Sequence, residues 1–162
     1  KNILNDVDIL KSLSENEIED LYGSSVRSFR RSGELIIKEG ESGSSMYVLA
    51  EGLLNVFVNE SGKERVKVGT ISPGQFFGEM SLLTGEERGA TVIAETDSVT
   101  VEISKEPFKK ILKKRPELAN ALSEVIAERQ SINLKKMDDY LNRKESFTAK
   151  IAAGIRSFFN LK

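Results

Sequence analysis

The stretch Met46–Val58 (MYVLAEGLLNVFV) contains two short apolar runs separated by Gly52. Both runs are rich in the β-branched and aromatic residues that favour strands, and both are shorter than a typical helix. Residues 59–63 (NESGK) have the composition of a turn, and Val66–Val68 then alternates apolar and polar side chains. The stretch therefore predicts short strands joined by tight turns.

The same pattern of short apolar pieces and glycines continues on both sides. Upstream, Val26–Ile37 is interrupted by Gly33, and downstream Val99–Ile103 alternates strictly between apolar and polar residues. All of the twelve glycines except Gly154 precede residue 90, where the turns are predicted. Many short strands punctuated by glycine indicate an antiparallel β-sandwich, barrel or roll.

Helical patterns flank this strand region. Leu13–Ile18 (LSENEI) fits a capping box with Ser14 as the N-cap and Glu17 three residues later, so a helix is expected to run to about Leu21 and end near Gly23.

After Ser104 the apolar spacing becomes helical again. A short helix carrying Phe108 is predicted to end at Pro116, and a longer helix to start at Pro116. The longer helix has one face that carries Leu118, Leu122, Val125, Ile126 and Arg129.

The amino-acid composition excludes several classes of function. The chain has 162 residues, which suits one core, and contains neither cysteine nor histidine. Disulfides, thiolate chemistry and serine–histidine triads are therefore excluded, and the usual metal ligand is missing. The net charge of −1 does not favour nucleic acid as a partner. We expect a domain that is not an enzyme and holds no metal. Because the chain begins with Lys1, we expect it to be a piece of a longer protein whose remainder holds an effector.

The most informative run is Pro73–Val92. A phosphate ester needs a cation and several backbone N–H donors directed at one point. Gly78 allows close approach of the backbone, and a short helical turn beginning at Glu79 would direct its free N–H groups outward. Arg88 offers a planar partner for two phosphate oxygens. Glu79 beside an anion requires a hydrogen-bond donor, and a ribose 2′-hydroxyl is the natural one, so the run suggests a sugar phosphate.

This run resembles the phosphate-binding cassette of the cyclic-nucleotide-binding family. The family pattern of Phe-Gly-Glu, an apolar residue, a small residue and an arginine nine residues after the glutamate is matched by Phe77, Gly78, Glu79, Met80, Ser81 and Arg88. The upstream family pattern is matched by Gly33, Ile36, Gly40, Gly43, Met46, Tyr47 and Gly52. The resemblance covers about residues 8–130. It implies an α+β fold in which an N-terminal helix and C-terminal lid helices flank an eight-stranded antiparallel β-roll of the jelly-roll-like type.

The resemblance also implies roles for individual residues. Arg88 pairs with the cyclic phosphate, Glu79 accepts the ribose hydroxyl, Met80 and Val92 contact the base, and Arg129 stacks over the base in a cation–π cap. The implied ligand set, with no catalytic residue, is Phe77, Gly78, Glu79, Met80, Ser81, Arg88, Gly89, Ala90, Thr91, Val92 and Arg129.

Two positions depart from the family pattern. Glu87 stands where many relatives have proline, and Gly89 stands where members selective for cGMP usually have threonine or serine. The missing hydroxyl favours cAMP over cGMP as the ligand.

Several alternatives stay open. The Glu87–Arg88 pair is also consistent with a surface salt bridge on a glycine-rich turn, and some family members keep the roll without binding nucleotide. Arg129 has Glu124 and Glu128 nearby as alternative partners. The effector is expected to be a bacterial channel of the mechanosensitive-like or potassium type, which would make this the cytoplasmic domain of an inner-membrane protein. A transcription regulator or a kinase is the alternative, and the parent protein is a possible homo-oligomer.

The chain divides by pattern into four segments. These are an N-terminal helical segment at 1–24, the β-roll at 25–104, hinge and lid helices at 105–134, and a basic amphipathic tail at 135–162. The tail carries Phe147, Ile151, Ile155, Phe158 and Phe159 at helical spacing. We expect it to pack against a partner subunit, with a mobile end or a helix lying on an anionic membrane as alternatives.

Overall fold

The computed structural model describes residues 2–59, 65–131, 149 and 151–161. Two 3-10 turns, Ile3–Asp6 and Asp8–Leu10, precede helix α1 (Glu15–Gly23). The predicted capping box is confirmed, because the Glu17 amide donates to Ser14 Oγ at 3.2 Å and the Ser14 amide donates to Glu17 Oε2 at 2.7 Å. The helix also ends at Gly23, as predicted.

Short antiparallel strands form the centre of the domain. They are β1 (Val26–Arg30), β2 (Leu35–Ile37), β3 (Ser45–Glu51), β4 (Leu54–Val58), β5 (Val66–Ile71), β6 (Phe76–Phe77), β7 (Thr91–Ala94) and β8 (Ser98–Ser104). One sheet has the order β1-β8-β3-β6 and the other β2-β7-β4-β5. The short helix α2 (Glu79–Thr84) lies between β6 and β7 in the chain. The predicted fold class, an antiparallel roll with flanking helices, is confirmed.

Strand β3 connects the two halves of the core. Met46 and Val48 pack in a cluster shared with the helices, whereas Tyr47 and Leu49 pack in a cluster between the sheets. Successive side chains of a strand point to opposite faces, so a strand that is apolar at every position is buried on both sides. This explains why the run that begins at Met46 has no polar position before Glu51.

Helices α3 (Lys105–Lys114) and α4 (Leu118–Ser131) follow the last strand. The start of α4 was predicted two residues too early. Pro116 and Glu117 form a turn in which the Ala119 amide donates to the Pro116 carbonyl at 3.1 Å. At the end of α3, Arg115 Nη1 donates to Glu17 Oε2 at 2.7 Å and so connects α3 to α1.

The C-terminal residues correct the prediction made for the tail. Residues 151–159 form helix α5, and its apolar face is buried in the chain's own core through Ile151, Ile155 and Phe159. This face is therefore covered by the same chain and not by a partner subunit. Phe147, together with the rest of the tail before residue 149, lies outside the described residues. Of the helices described, none is long and apolar enough to cross a membrane.

Helix α5 contacts the elements that surround it through specific side chains. Arg156 Nη2 donates to Asn120 Oδ1 of α4 at 2.7 Å, and Lys105 Nζ lies 3.7 Å from the centre of the Phe158 ring. A Cβ added to Gly85, at the end of α2, would lie 2.5 Å from the Phe158 ring. The helix thus packs against α2, α3 and α4.

Candidate functional site

An open cleft of about 1550 Å³ lies beside α2. Gly78 precedes this helix with a φ of 76°, a left-handed conformation that glycine adopts without steric cost. It thereby turns the chain from β6 directly into α2. The predicted ligand-binding residues that line the cleft are Phe77, Gly78, Glu79, Met80, Ser81, Arg88, Gly89, Ala90, Val92 and Arg129.

Arg88 is buried, with 6% of its surface exposed, and the protein holds its guanidinium group in place. Nη1 donates to the carbonyl oxygens of Ser45 at 2.6 Å and Gly78 at 3.0 Å, and Nη2 donates to Ser45 Oγ at 3.1 Å. These bonds use three of the five guanidinium N–H groups. In the described part of the chain, the Nε hydrogen and the second Nη2 hydrogen have no protein acceptor. They lie on one edge of the group, the geometry that binds two oxygens of an anion.

Two glycines make room for this arrangement. A Cβ added at Gly43 would lie 2.6 Å from Arg88 Nε and Nη2, and one added at Gly78 would lie 2.7 Å from Nη1. Gly43 belongs to the upstream glycine pattern but was not predicted as a site residue. Its function in the structure is to let the loop before β3 pack against the guanidinium group.

These contacts exclude the surface salt bridge that the sequence left open for Arg88. The guanidinium group is turned inward to Ser45 and Gly78, whereas Glu87 is exposed at the rim of the cleft. An exposed ion pair between neighbours would have left the arginine in solvent.

Ser45 and its neighbours form a polar network behind Arg88. Ser45 Oγ donates to Glu102 Oε1 on β8 at 2.7 Å. Tyr47 stacks on Phe77, with ring centres 5.2 Å apart and planes at 11°. Burial raises the pKa of Tyr47, and the Glu102 carboxylate beside it raises this pKa further. The tyrosine is therefore a neutral hydrogen-bonding group at physiological pH.

Glu79 and Arg129 meet across the cleft. Arg129 Nη1, on α4, donates to Glu79 Oε1 at 3.0 Å, and Nη2 donates to the Phe76 carbonyl at 2.7 Å. The guanidinium carbon lies 4.2 Å from the centre of the Phe76 ring. Arg129 thus pairs with the cassette glutamate. The role of Arg129 as a cap over the base stays a prediction.

Thr91 belongs to the predicted ligand-binding set, but its side chain does not line the cleft. It is buried, and its hydroxyl accepts a hydrogen bond from the Glu39 amide at 3.0 Å. Neighbouring residues of a strand face opposite ways, so Val92 lines the cleft and Thr91 does not. Thr91 holds β7 to the chain after β2.

The cleft also has an apolar wall that was not predicted. Ile37, Val56, Val68 and Ile71 line it, and Val68 is 58% exposed. Such a wall suits the face of a base or another flat ring. No group of three or more acidic, histidine or cysteine side chains that would hold a metal ion occurs in the residues that the structure describes.

Comparison with known proteins identifies the family. The chain matches the family described as Cyclic nucleotide-binding domain over residues 27–115, more than half of its length. The chain belongs to this family.

Two curated relatives and one solved structure illustrate the range of the matches. The chain is 35% identical over 104 residues to the cAMP-dependent protein kinase regulatory subunit of Blastocladiella emersonii, covering 64% of this chain and 26% of that protein. It is 29% identical over 150 residues to the cGMP-dependent protein kinase 2 of Homo sapiens, covering 91% of this chain and 19% of that protein. The catabolite activator protein of Thermus thermophilus matches with a TM-score of 0.68 at 25% identity, covering 78% of this chain and 59% of that structure. The chain therefore spans only about a quarter or less of the two kinase relatives.

Proposed function

We propose that this domain is a cyclic-nucleotide sensor, which binds its ligand in the cleft beside α2 without converting the ligand chemically. The observation that carries the proposal is the placement of Arg88. Its guanidinium group is buried and fixed by Ser45 and Gly78, and two N–H groups on one edge remain for an anion. A ligand phosphate with two oxygens exposed on one side complements this edge.

The other parts of the cleft suit the rest of a cyclic nucleotide. Glu79 keeps one carboxylate oxygen beyond the bond from Arg129 and can accept a ribose hydroxyl. The backbone N–H groups at the start of α2, including those of Met80 and Ser81, have no partner inside the helix and can join Arg88 at the phosphate. The apolar wall that includes Val68 and Ile71 faces a flat base.

The side chains available support binding without chemistry. The whole sequence contains no histidine and no cysteine, which are the usual general bases and nucleophiles at neutral pH. The ligand then acts by favouring one arrangement of the domain over another, which requires a difference in affinity between the two. Arg129 connects α4 to the ligand-binding residue Glu79, so α4 is the element whose position depends most directly on the ligand.

The effector is the second part of the proposal. We propose a bacterial ion channel, with this domain on the cytoplasmic side of an inner membrane. The relatives named above support two other choices, a kinase and a transcription regulator. The reading frame upstream of Lys1 separates these choices. Transmembrane segments there support the channel, whereas a kinase domain or a DNA-binding motif in the same gene contradicts it.

The ligand is tested by calorimetric titration of the domain with cAMP, cGMP and 5′-AMP in parallel. We expect binding of both cyclic nucleotides, with cAMP tighter because Gly89 has no hydroxyl for guanine, and much weaker binding of 5′-AMP. Tighter binding of cGMP would contradict the ligand preference. Absence of binding by either cyclic nucleotide would contradict the proposed function as a whole.

A further inference from the structure

Ser45 contacts the guanidinium group of Arg88 at two points. Its carbonyl oxygen accepts from Nη1 at 2.6 Å and its side-chain oxygen accepts from Nη2 at 3.1 Å. Two parallel bonds from one residue fix the plane of a guanidinium group as well as its position. Both residues are buried, at 7% and 6% exposure, so water competes little for these bonds.

The hydroxyl of Ser45 is itself oriented by a carboxylate. A hydroxyl has one hydrogen to donate and two lone pairs to accept with. In the structure the hydrogen is directed to Glu102 Oε1 at 2.7 Å. A lone pair of the same oxygen is therefore left for Arg88 Nη2, and the hydroxyl cannot turn its hydrogen toward the cation.

The strand register explains how these groups meet. Ser45 begins β3 opposite Ser104 of β8, and Tyr47 lies opposite Glu102. Residues two apart on a strand share a face, so Ser45 and Glu102 are diagonal neighbours on one face of the sheet. The support for Arg88 is thus built on β3 and β8, the two central strands of their sheet.

We propose that Ser45, oriented by Glu102, is a positioning residue that presents the remaining N–H edge of Arg88 to the phosphate of the ligand. The inference rests on the proposed function, since it assigns a role within the same site. The inference gives Glu102 a favourable effect on binding, although the negative charge of this carboxylate alone would repel an anionic ligand.

The test is calorimetric titration with cAMP of Ser45→Ala, of Glu102→Ala, of Arg88→Lys, and of Ser45→Ala combined with Arg88→Lys. Ser98→Ala is the matched control, because Ser98 is a buried strand serine whose hydroxyl donates to the Thr96 carbonyl at 2.8 Å. We expect Ser45→Ala to weaken binding about ten-fold and Glu102→Ala about three-fold, with Ser98→Ala within two-fold of the wild type. In the Arg88→Lys background there is no guanidinium group to orient, so Ser45→Ala should then change the affinity by less than about two-fold.

The outcomes separate this inference from the proposed function. A wild-type domain that binds no cyclic nucleotide would overturn both. A wild-type domain that binds, with Ser45→Ala at wild-type affinity, would overturn the positioning role alone. The same holds if the loss persists undiminished in the Arg88→Lys background, which would indicate a general structural effect. If Ser45→Ala does not fold, Glu102→Ala tests the positioning role independently. Tighter cAMP binding by Glu102→Ala would overturn the inference, because it would show that the Glu102 carboxylate only repels the anionic ligand.

Discussion

The carboxylate of Glu79 on α2 accepts a hydrogen bond from Arg129 on α4 across 3.0 Å, although the two residues are fifty positions apart in the chain. Glu79 is only 11% exposed as a side chain, and Arg129 is 38% exposed. The pair connects the cassette directly to the helix proposed to respond to the ligand.

Removing Arg129 should therefore affect stability. Arg129→Ala leaves a largely buried carboxylate without its cation, and we expect it to lower the free energy of unfolding by about 1 kcal/mol, a modest value because the arginine is partly exposed. Urea denaturation measures this change. In a Glu79→Gln background the same substitution should cost less, and an equal cost in both backgrounds would show that the pair contributes nothing.

Substitution of Gly43 tests the position of Arg88 without removing any polar side chain. Gly43→Ala places a methyl group 2.6 Å from Arg88 Nε and Nη2, so the guanidinium group must move. We expect about a ten-fold loss of cAMP affinity by calorimetry. Gly23→Ala is the control, because a Cβ there meets no atom within 4 Å and its affinity should match the wild type. Unchanged affinity in Gly43→Ala would contradict the described packing.

Helix α5 should contribute to the stability of the domain. Phe159 is fully buried, and Phe159→Ala is expected to lower the free energy of unfolding by about 3 kcal/mol. Phe29→Ala removes a phenylalanine that is 63% exposed and should cost less than about 0.5 kcal/mol. Equal stability of the two variants by urea denaturation would show that the tail does not belong to the core.

The contact between α1 and α3 should depend on pH. Burial opposes ionisation of Glu17, but hydrogen bonds from the Ser14 amide and from Arg115 outweigh it and lower the pKa of Glu17 below its ordinary value. A carboxyl whose folded-state pKa is depressed stabilises the fold above its unfolded pKa, and this stabilisation is lost as the pH falls through the folded-state pKa.

Glu17→Gln keeps the shape of the side chain and removes its titration. We expect the variant to be less stable than the wild type by about 0.5 kcal/mol at pH 7, a small value because solvent screens this partly exposed pair, with the difference shrinking below about pH 4. Thermal melts of both proteins between pH 7 and pH 3 measure the difference. A difference that stays constant over this range would contradict the account of the ion pair.

Local patterns explain which features were predictable. The capping box at Ser14 and the short strand that begins near Met46 depend on neighbours in the sequence, so their spacing revealed them. The cassette was found for the same reason, since Gly78 to Arg88 is one short segment. The start of α4 was misplaced because a proline at 116 suits a turn as well as a first helical residue.

Contacts between distant segments were not predictable from spacing. Ser45 is 43 residues from Arg88, and nothing in the residues around it marks it as a partner. The pairing of Arg129 with Glu79 and the burial of Ile155 depend on how the helices pack on the roll. Thr91 was assigned to the site because the cassette includes it, whereas the pleat of β7 turns its side chain away.

The most direct test of Arg88 as the phosphate-binding residue is calorimetric titration of cAMP into the wild-type domain and into Arg88→Ala. Arg31→Ala serves as the control, because Arg31 is exposed and lies outside the residues that line the cleft. A thermal melt of each protein confirms that it is folded. We expect Arg88→Ala to lose about 2–4 kcal/mol of binding free energy and Arg31→Ala to keep the wild-type affinity. A folded Arg88→Ala domain that binds cAMP as tightly as the wild type would contradict this role of Arg88.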